Sequence, residues 1–405
     1  MENKNKDDFA FNVHSPQHNV IPVFTEAGTR QDWIPFGKDD AYPEFILDKR
    51  LNSSVNNAII TGKKDYIAGN GIEVEGASSK YLSFLDNELD EDTVYDILPM
   101  ISEDLATYGG YGLLITWTRN KRSIAQITYL DFKTIRIANA EKEGVSEGFF
   151  TSPDFKNWRR KENTPVFIPP FSKDIKNRKP QELLYVKQHR TGTIHYPLPQ
   201  YIAAMKWIIL DEEIATFHLS TVQNQFAPSI MINMTNGIPS QEEQDELFRQ
   251  FTNKYEGSAN AGKVIITYNK DKDRIPVIEA FPLNDSDERF IMLQDQISQQ
   301  ILTGHRITNV QLFGIQTTSK LGGSKEEILE SFELLTSTVI RAMQMIVENS
   351  MNKLLKAGGI TDKFEIIPFK LFKEIEEQKR LEPASPKTED KVAAITEEIK
   401  PEDNE

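Results

Sequence analysis

The strongest candidate for chemistry is a glycine-rich loop, Gly257-Ser-Ala-Asn-Ala-Gly262-Lys263, which fits the G-x-x-x-x-G-K pattern of phosphate-binding loops. That pattern continues with Ser or Thr, whose hydroxyl binds Mg²⁺, whereas this chain has Val264. A phosphate-binding loop also leaves a strand and opens a helix, so that helix-end amides face the phosphates. Here the loop follows a predicted helix and enters the strand VIITY. The pattern therefore favours a helix-to-strand turn, and a nucleotide-binding enzyme is the alternative interpretation.

Other catalytic and metal-binding patterns are absent from the sequence. The chain has no cysteine, which excludes thiolate nucleophiles, disulfides and cysteine-ligated metals. Of its six histidines only His14 and His18 have the spacing of metal ligands. The acidic clusters lie on single predicted helices, whereas two-metal nucleases need carboxylates that converge from several elements. We therefore expect no enzymatic activity, no cofactor and no metal.

Length and composition predict a folded, acidic protein. The chain has 405 residues, a formal net charge of -14, 27% charged residues and 39% hydrophobic residues, enough for two or three domains. Its start, MENKNKDDFAFNVHSPQHN, lacks the apolar core of a signal peptide, and no stretch has the length of a membrane span. We expect a soluble protein without membrane contact. Its acidity argues against a surface that grips duplex DNA, because such binding depends on Lys and Arg.

The N-terminal half is predicted to be an α+β unit, because helical periodicity precedes strand periodicity. Residues 1–43 predict an extended arm with ordered pieces such as Trp33-Ile34-Pro35-Phe36, and residues 44–198 predict three helices and then a sheet. The first of these helices ends near Ala68, and the segment 139–182 is long and polar. The predicted strands are Tyr111–Trp117, Ser123–Leu130, Thr134–Ala138 and Leu183–Gln188.

Three long helices dominate the second half. Two of them, 199–226 and 284–303, flank an insert, 227–283, with the predicted order strand, helix, strand, strand. If the flanking helices pack together they run antiparallel, so the insert lies at one tip of a stalk. A closed ring of copies would bury the stalks side by side. The other segments are a glycine-rich loop at 304–324, a helix at 325–357 with an apolar seam at Ile328, Phe332, Leu335, Val339, Ala342 and Ile346, a strand region at 358–370 and an acidic tail at 371–405.

This order of segments resembles the HK97-like portal proteins of tailed bacteriophages. The resemblance covers about Ile194 to Leu355 well and the N-terminal unit loosely. The serial order carries it rather than one signature motif. The similar stretches are YPLPQYIAAMKWIILDEEIATFHLSTVQNQFAPSIMINMTNGIPS, EGSANAGKVIITY, DERFIMLQDQISQQILTGHRIT and the third helix.

The resemblance implies an α+β portal fold with a wing (44–198 and 358–370), stem helices (199–226 and 284–303), a clip (227–283), a tunnel loop (304–324) and a helix from channel to wing (325–357). The crown that usually follows would be reduced, because little beyond Leu371 could build one.

The resemblance also implies a function, which is that of a ring of twelve subunits at one capsid vertex, through which double-stranded DNA is packaged and ejected. The implied partners are the terminase large subunit, head-completion or adaptor proteins, and the major capsid and scaffolding proteins. The implied location is the virion, after assembly in the host bacterial cytoplasm. Another virion protein, such as an adaptor, is the alternative within the same class of assemblies.

The candidate site residues follow from the implied channel. DNA must slide, and carboxylates repel phosphates within about 8 Å at physiological salt, whereas a basic lining would trap DNA. Surface solvation or pairing between subunits is the alternative for these carboxylates. The predicted channel-lining carboxylates are Asp211, Glu212, Glu213, Asp285, Asp287, Glu288 and Asp295; the tunnel-loop residues are Asn309, Gln311, Gln316, Thr317, Thr318 and Lys320; and the residues for docking of the motor or adaptor are Glu242, Glu243, Gln244 and Arg249.

Overall fold

The structure is a computed structural model and describes residues 31–139, 147–225, 230–234, 264–268, 286–315 and 324–371. Four helices lie in the first part of this range. The helical stretch predicted to end near Ala68 is two helices. Ser53 between them is extended (φ -107°, ψ 113°), and its hydroxyl accepts a hydrogen bond from the Asn56 amide, so it caps the second helix. A single serine gives little signal for such a break. The helices are α1 (Tyr42–Asn52), α2 (Ser54–Ala68), α3 (Ser79–Asp86) and α4 (Val94–Tyr108).

A three-stranded antiparallel sheet packs against α4. Its strands are β1 (Gly110–Trp117), β2 (Ile124–Leu130) and a third strand at Gln181–Lys187, and β1 is the central strand. The strands lie where the sequence predicts them. Tyr111, Leu113 and Ile115 alternate along β1 and are buried, as the period of two requires.

A second antiparallel sheet contains β3 (Ile135–Ile137), β4 (Phe149–Thr151) and β5 (Val166–Ile168). The strand at Gln181–Lys187 is therefore β6 in chain order. The sequence predicts β3, but it leaves β4 and β5 inside the polar segment 139–182. Three residues are too few for a period of two to be recognised.

The predicted ordered piece of the N-terminal arm is part of the core. Trp33 and Phe36 are 3% and 1% exposed. The indole of Trp33 donates to Asp40 (2.8 Å), and Asp40 pairs with the buried guanidinium of Arg136 on β3. This buried ion pair fixes residues 33–40 to the second sheet.

Two long helices, α5 (Met205–Gln225) and α6 (Ser286–His305), pack against each other. Ala204, just before α5, lies against Gly304, near the end of α6, so the two helices run antiparallel. Beyond α5, β7 (Ile230–Met234) pairs in parallel with β8 (Val264–Tyr268). A parallel pair needs a crossover connection, and residues 235–263 lie outside the described part.

The helix predicted at 325–357 is interrupted by a π-helical turn. It consists of α7 (Lys325–Leu335), the π-turn at Thr336–Ile340 and α8 (Arg341–Ala357). The predicted apolar seam holds up to Val339 and is wrong at Ala342, which is exposed; the residues buried there are Met343 and Val347, while Ile346 is half-buried against the core. The extra residue in the π-turn rotates the following helix by about 100°, the angle between successive residues of an α-helix.

Residues 358–371 return along α8. The side chain of Asn352 exchanges two hydrogen bonds with the backbone of Phe364 (2.9 and 2.8 Å). The strand predicted at Phe364–Phe369 is reduced to an isolated antiparallel bridge between Ile366 and Ile72. The loop after α2 supplies only a few residues for pairing, which is too short for a regular ladder.

Candidate functional site: the polar junction at the end of the paired helices

The three predicted channel carboxylates of α5 lie in different environments. The hydroxyl of Ser53 donates to Asp211 (2.7 Å), and burial raises the pKa of Asp211. Glu212 pairs with Lys49 of α1 at 2.6 Å. Glu213 is exposed. Asp211 and Glu212 therefore hold α5 to the N-terminal helices, and the channel role of all three stays a prediction.

The described part of α6 exposes amides rather than carboxylates. Asp295 is half-buried, while four glutamines around it are exposed. Asp287 and Glu288 lie in the first turn of α6, and Asp285 lies just outside the described residues. The exposed glutamines are Gln294, Gln296, Gln299 and Gln300.

The first residues of the predicted tunnel loop are helical or tightly packed. Helix α6 continues through His305, and Arg306 then takes a left-handed conformation (φ 61°). Asn309 caps a 3₁₀ turn at Val310–Phe313, because its side-chain oxygen accepts from the Gln311 amide (2.9 Å). The other predicted loop residues, Gln316, Thr317, Thr318 and Lys320, lie outside the described part, as do the docking residues Glu242, Glu243, Gln244 and Arg249.

A buried polar cluster joins the end of α6 to α2. We call it the polar junction; its members are Lys63, His305, Asn56 and Tyr201. Lys63 Nζ lies 3.2 Å from His305 Nδ1 and 3.1 Å from the His305 carbonyl oxygen. His305 Nε2 lies 2.8 Å from Asn56 Oδ1, and the ring of Tyr201 stacks on the imidazole with centroids 4.6 Å apart. The ammonium group of Lys63 thus occupies the negative end of the α6 helix dipole.

Close backbone and side-chain contacts continue the polar junction beyond α6. The hydroxyl of Tyr66 on α2 donates to the Leu312 carbonyl (2.6 Å). The ring of Phe313 lies over Gly62, where a Cβ would come within 2.5 Å of the ring. Gly62, Lys63 and Tyr66 lie within five consecutive residues of α2, so this helix holds the chain at three points between the end of α6 and residue 313.

Burial changes the protonation of this cluster. Desolvation and then the charge of Arg306 lower the pKa of Lys63 to about 7. Desolvation and then Lys63 hold the pKa of His305 well below its ordinary value, so the imidazole is neutral at neutral pH. The polar junction can therefore hold a fixed geometry and change its charge near neutrality, but it offers no nucleophile in an open cleft.

Sequence reasoning missed the polar junction, although one signal was present. Lys63 lies among Ile59, Ile60 and Ile67 on the apolar face of α2, at the spacing of core residues. A lysine in that position predicts a buried polar partner. The identity of the partner, 242 residues away in the sequence, cannot be read from spacing.

Two further expectations from the sequence concern metals and membranes. Among the described residues no group of three or more His, Asp and Glu side chains could hold a metal ion. No helix there has the length and apolar character needed to cross a membrane. The loop at 257–263 and the histidines at 14 and 18 lie outside the described part, whereas the strand predicted after that loop is β8.

Sequence comparisons give a limited picture. No family model matches the chain. A curated protein of Rickettsia bellii (strain RML369-C), with the name "Uncharacterized protein", is 26% identical over 172 residues. The match spans 42% of this chain and 42% of the length of that relative.

Structure comparisons reach most of the chain. A chain in the neck of the empty gene transfer agent (GTA) particle, computed with C6 symmetry, aligns with a TM-score of 0.53 and 13% identity over 87% of this chain and 92% of that chain. A chain in the virion of the native GTA particle gives 0.51 and 12% identity over 84% and 87%. An HK97 family phage portal protein from Corynebacterium diphtheriae gives 0.47 and 10% identity over 83% and 98%. The chain therefore shares the fold of these chains of the GTA particle, and the predicted resemblance is confirmed at the level of the fold.

Proposed function

We propose that the chain is the subunit of a portal ring in a tailed bacteriophage or a phage-like particle. In this proposal twelve copies surround a channel at one capsid vertex, and double-stranded DNA passes through it during packaging and ejection. The observation that carries the proposal is the alignment of 87% of this chain with a chain in a particle neck. The neck of the native GTA particle was computed with C12 symmetry, and a chain in it aligns at a TM-score of 0.51.

The paired helices α5 and α6 would form the stem of this ring, and the region that contains β7 and β8 would form the clip. The antiparallel packing of α5 on α6 supports this assignment, because a segment that joins the end of the first antiparallel helix to the start of the second would lie at one end of the pair. We assign the clip as the docking surface for the terminase large subunit and, later, for head-completion or adaptor proteins. The wing would contact the major capsid and scaffolding proteins.

The best candidates for the channel lining are carboxylates that make no bond within the protomer. Asp211 and Glu212 are bonded to Ser53 and Lys49. Glu213 is exposed and has no such bond in the described part of the chain. We therefore propose Glu213, with the acidic residues at the start of α6, as the carboxylates that keep the DNA sliding.

Native mass spectrometry and negative-stain imaging of the purified full chain test the proposal. Twelve copies of the 46.3 kDa chain have a mass of about 556 kDa, and the images should show a ring. The hole should be about 20–40 Å wide, enough for duplex DNA. A stable 46.3 kDa monomer that forms no ring at any concentration would contradict the proposal. Specific binding of Mg²⁺-ATP would instead favour the enzyme alternative.

A further inference from the structure

The buried lysine of the polar junction has an unusual environment. Lys63 is 2% exposed, and among the residues that the structure describes its Nζ bonds only to the imidazole and the carbonyl oxygen of His305. No carboxylate among the described residues pairs with it, and the nearby charge that acts on it is the cation Arg306. A buried ammonium without a carboxylate is costly, and a well-packed apolar side chain such as Met would be cheaper. Stabilisation of the fold therefore does not explain why a lysine lies at this position.

The hydrogen bonds define the protonation state in which the polar junction is closed. Within the described residues, the imidazole of His305 faces Asn56 Oδ1 with Nε2 and the Lys63 ammonium with Nδ1. Assigned from these partners, Nε2 carries the proton and donates, while Nδ1 accepts from Lys63. A second proton on the imidazole would place an N–H against the ammonium and two cations in one buried site. The arrangement thus tolerates one positive charge on the pair and opposes two.

We propose that Lys63 and His305 are positioning residues that form a proton-sensitive latch, which holds the end of α6 and the turn at 310–313 against α2 and releases them when both side chains are charged. The groups that face the pair from the neighbouring elements are Arg306 after α6, the phenol of Tyr201 before α5 and the amide of Asn56 on α2. None of them is an acid that could neutralise a second charge.

The consequence of the latch for a channel rests on the proposed function, since α6 would be a stem helix and α2 part of the wing. Release would let the stem helix move relative to the wing. The latch itself depends only on contacts within one chain, so it can be tested without DNA and without a ring.

Hydrogen exchange of the full chain measures the latch locally. The amides of Ile307 and Gly314 donate to Leu302 and Gln311 carbonyls (3.0 and 3.1 Å) and report the closed state. After correction for intrinsic exchange, we expect their protection to fall about tenfold or more between about pH 7.5 and pH 4.5. Amides of β1 serve as the internal reference for general acid unfolding.

The variant His305→Gln separates proton sensitivity from packing, because its side-chain oxygen can accept from Lys63 but cannot be protonated in this range. We expect His305→Gln to stay protected at low pH. In Lys63→Met the imidazole faces no cation, so we expect the acid-induced loss of protection to be smaller than in the natural chain. Equal pH profiles for the natural chain and both variants would overturn the proposal. If the pH profiles are equal but the natural chain and both variants still form the ring, the latch is wrong and the proposed function stands.

Discussion

The ammonium group of Lys63 lies in the core against the negative end of a helix dipole. This position makes its charge state part of the stability of the protein, because the unfolded chain holds the proton with the ordinary lysine pKa while the folded chain holds it with a pKa of about 7. Arg306, which is exposed, adds to the lowering because like charges oppose protonation. Residues of this kind are detectable in a sequence only as a polar interruption of an apolar helix face.

We predict a pH dependence of stability that depends on Lys63. Between about pH 7 and the unfolded lysine pKa only the unfolded chain binds this proton, so the free energy of unfolding rises with pH in that interval. The rise from this one proton is about 1 kcal/mol per pH unit. Urea unfolding between about pH 7.5 and pH 9.5 measures this: the free energy of unfolding of the natural chain, relative to that of Lys63→Met, should grow with pH. Lys64→Met, in which the neighbouring lysine is replaced, should keep the pH slope of the natural chain. If Lys63→Met kept that slope too, the assignment would be contradicted.

At the scale of elements, long helices and strands can be predicted from the sequence, whereas the breaks within the helices cannot. The sequence predicts α3, α4, β1, β2 and the two long helices, because each has enough residues to show its period. The break at Ser53 and the π-turn at Thr336–Ile340 were missed. Threonine hydroxyls bond to carbonyls of the preceding turn there, for example Thr336 to Phe332 (2.8 Å), and this local competition leaves no periodic trace. The polar junction was missed for another reason, since it joins residues that are distant in sequence.

We predict that the packing of α6 on the turn before α5 depends on the missing side chain of Gly304. A Cβ at Gly304 would overlap the Cβ of Ala204. Gly304→Ala should therefore lower the free energy of unfolding by about 1–3 kcal/mol, although alanine normally favours helices over glycine. Urea unfolding should show partial recovery in the double variant Gly304→Ala with Ala204→Gly. Gly358→Ala is the control, since its Cβ would lie at 3.5 Å from its neighbours; an equal loss there would argue against the close contact.

At the scale of the whole molecule, the chain combines a formal charge of -14 with a fold shared with chains of particle necks. A negative surface suits a channel that must not bind its polymer, because neutralising phosphates with Lys and Arg releases counterions and produces tight binding. The acidic residues that would act in this way are those without a structural bond in the protomer. Asp211 and Glu212 are bonded within the protomer while the next residue, Glu213, is exposed, so adjacent carboxylates in one run lie in different environments.

We predict that reversing the charge of the proposed lining slows DNA packaging. The variant Glu213→Lys, Asp287→Lys, Glu288→Lys should package more slowly than the natural chain, and its rate should rise with salt, because added cations would hold the phosphates until they are screened. A packaging assay at several salt concentrations measures this. Glu75→Lys, Asp86→Lys, Glu91→Lys makes the same charge change on exposed residues of the N-terminal unit and should package normally. Packaging at the natural rate by both variants would refute the lining role.

Electron cryomicroscopy of the purified full chain tests the central claim most directly. We expect a closed ring with rotational symmetry, a central hole at least about 20 Å wide, and the α5–α6 pair closer to the axis than the sheets of β1 to β6. A lone globule, a two-fold dimer, or a ring in which the sheets surround the hole and α5 and α6 face outward would contradict the claim that this chain builds a DNA channel.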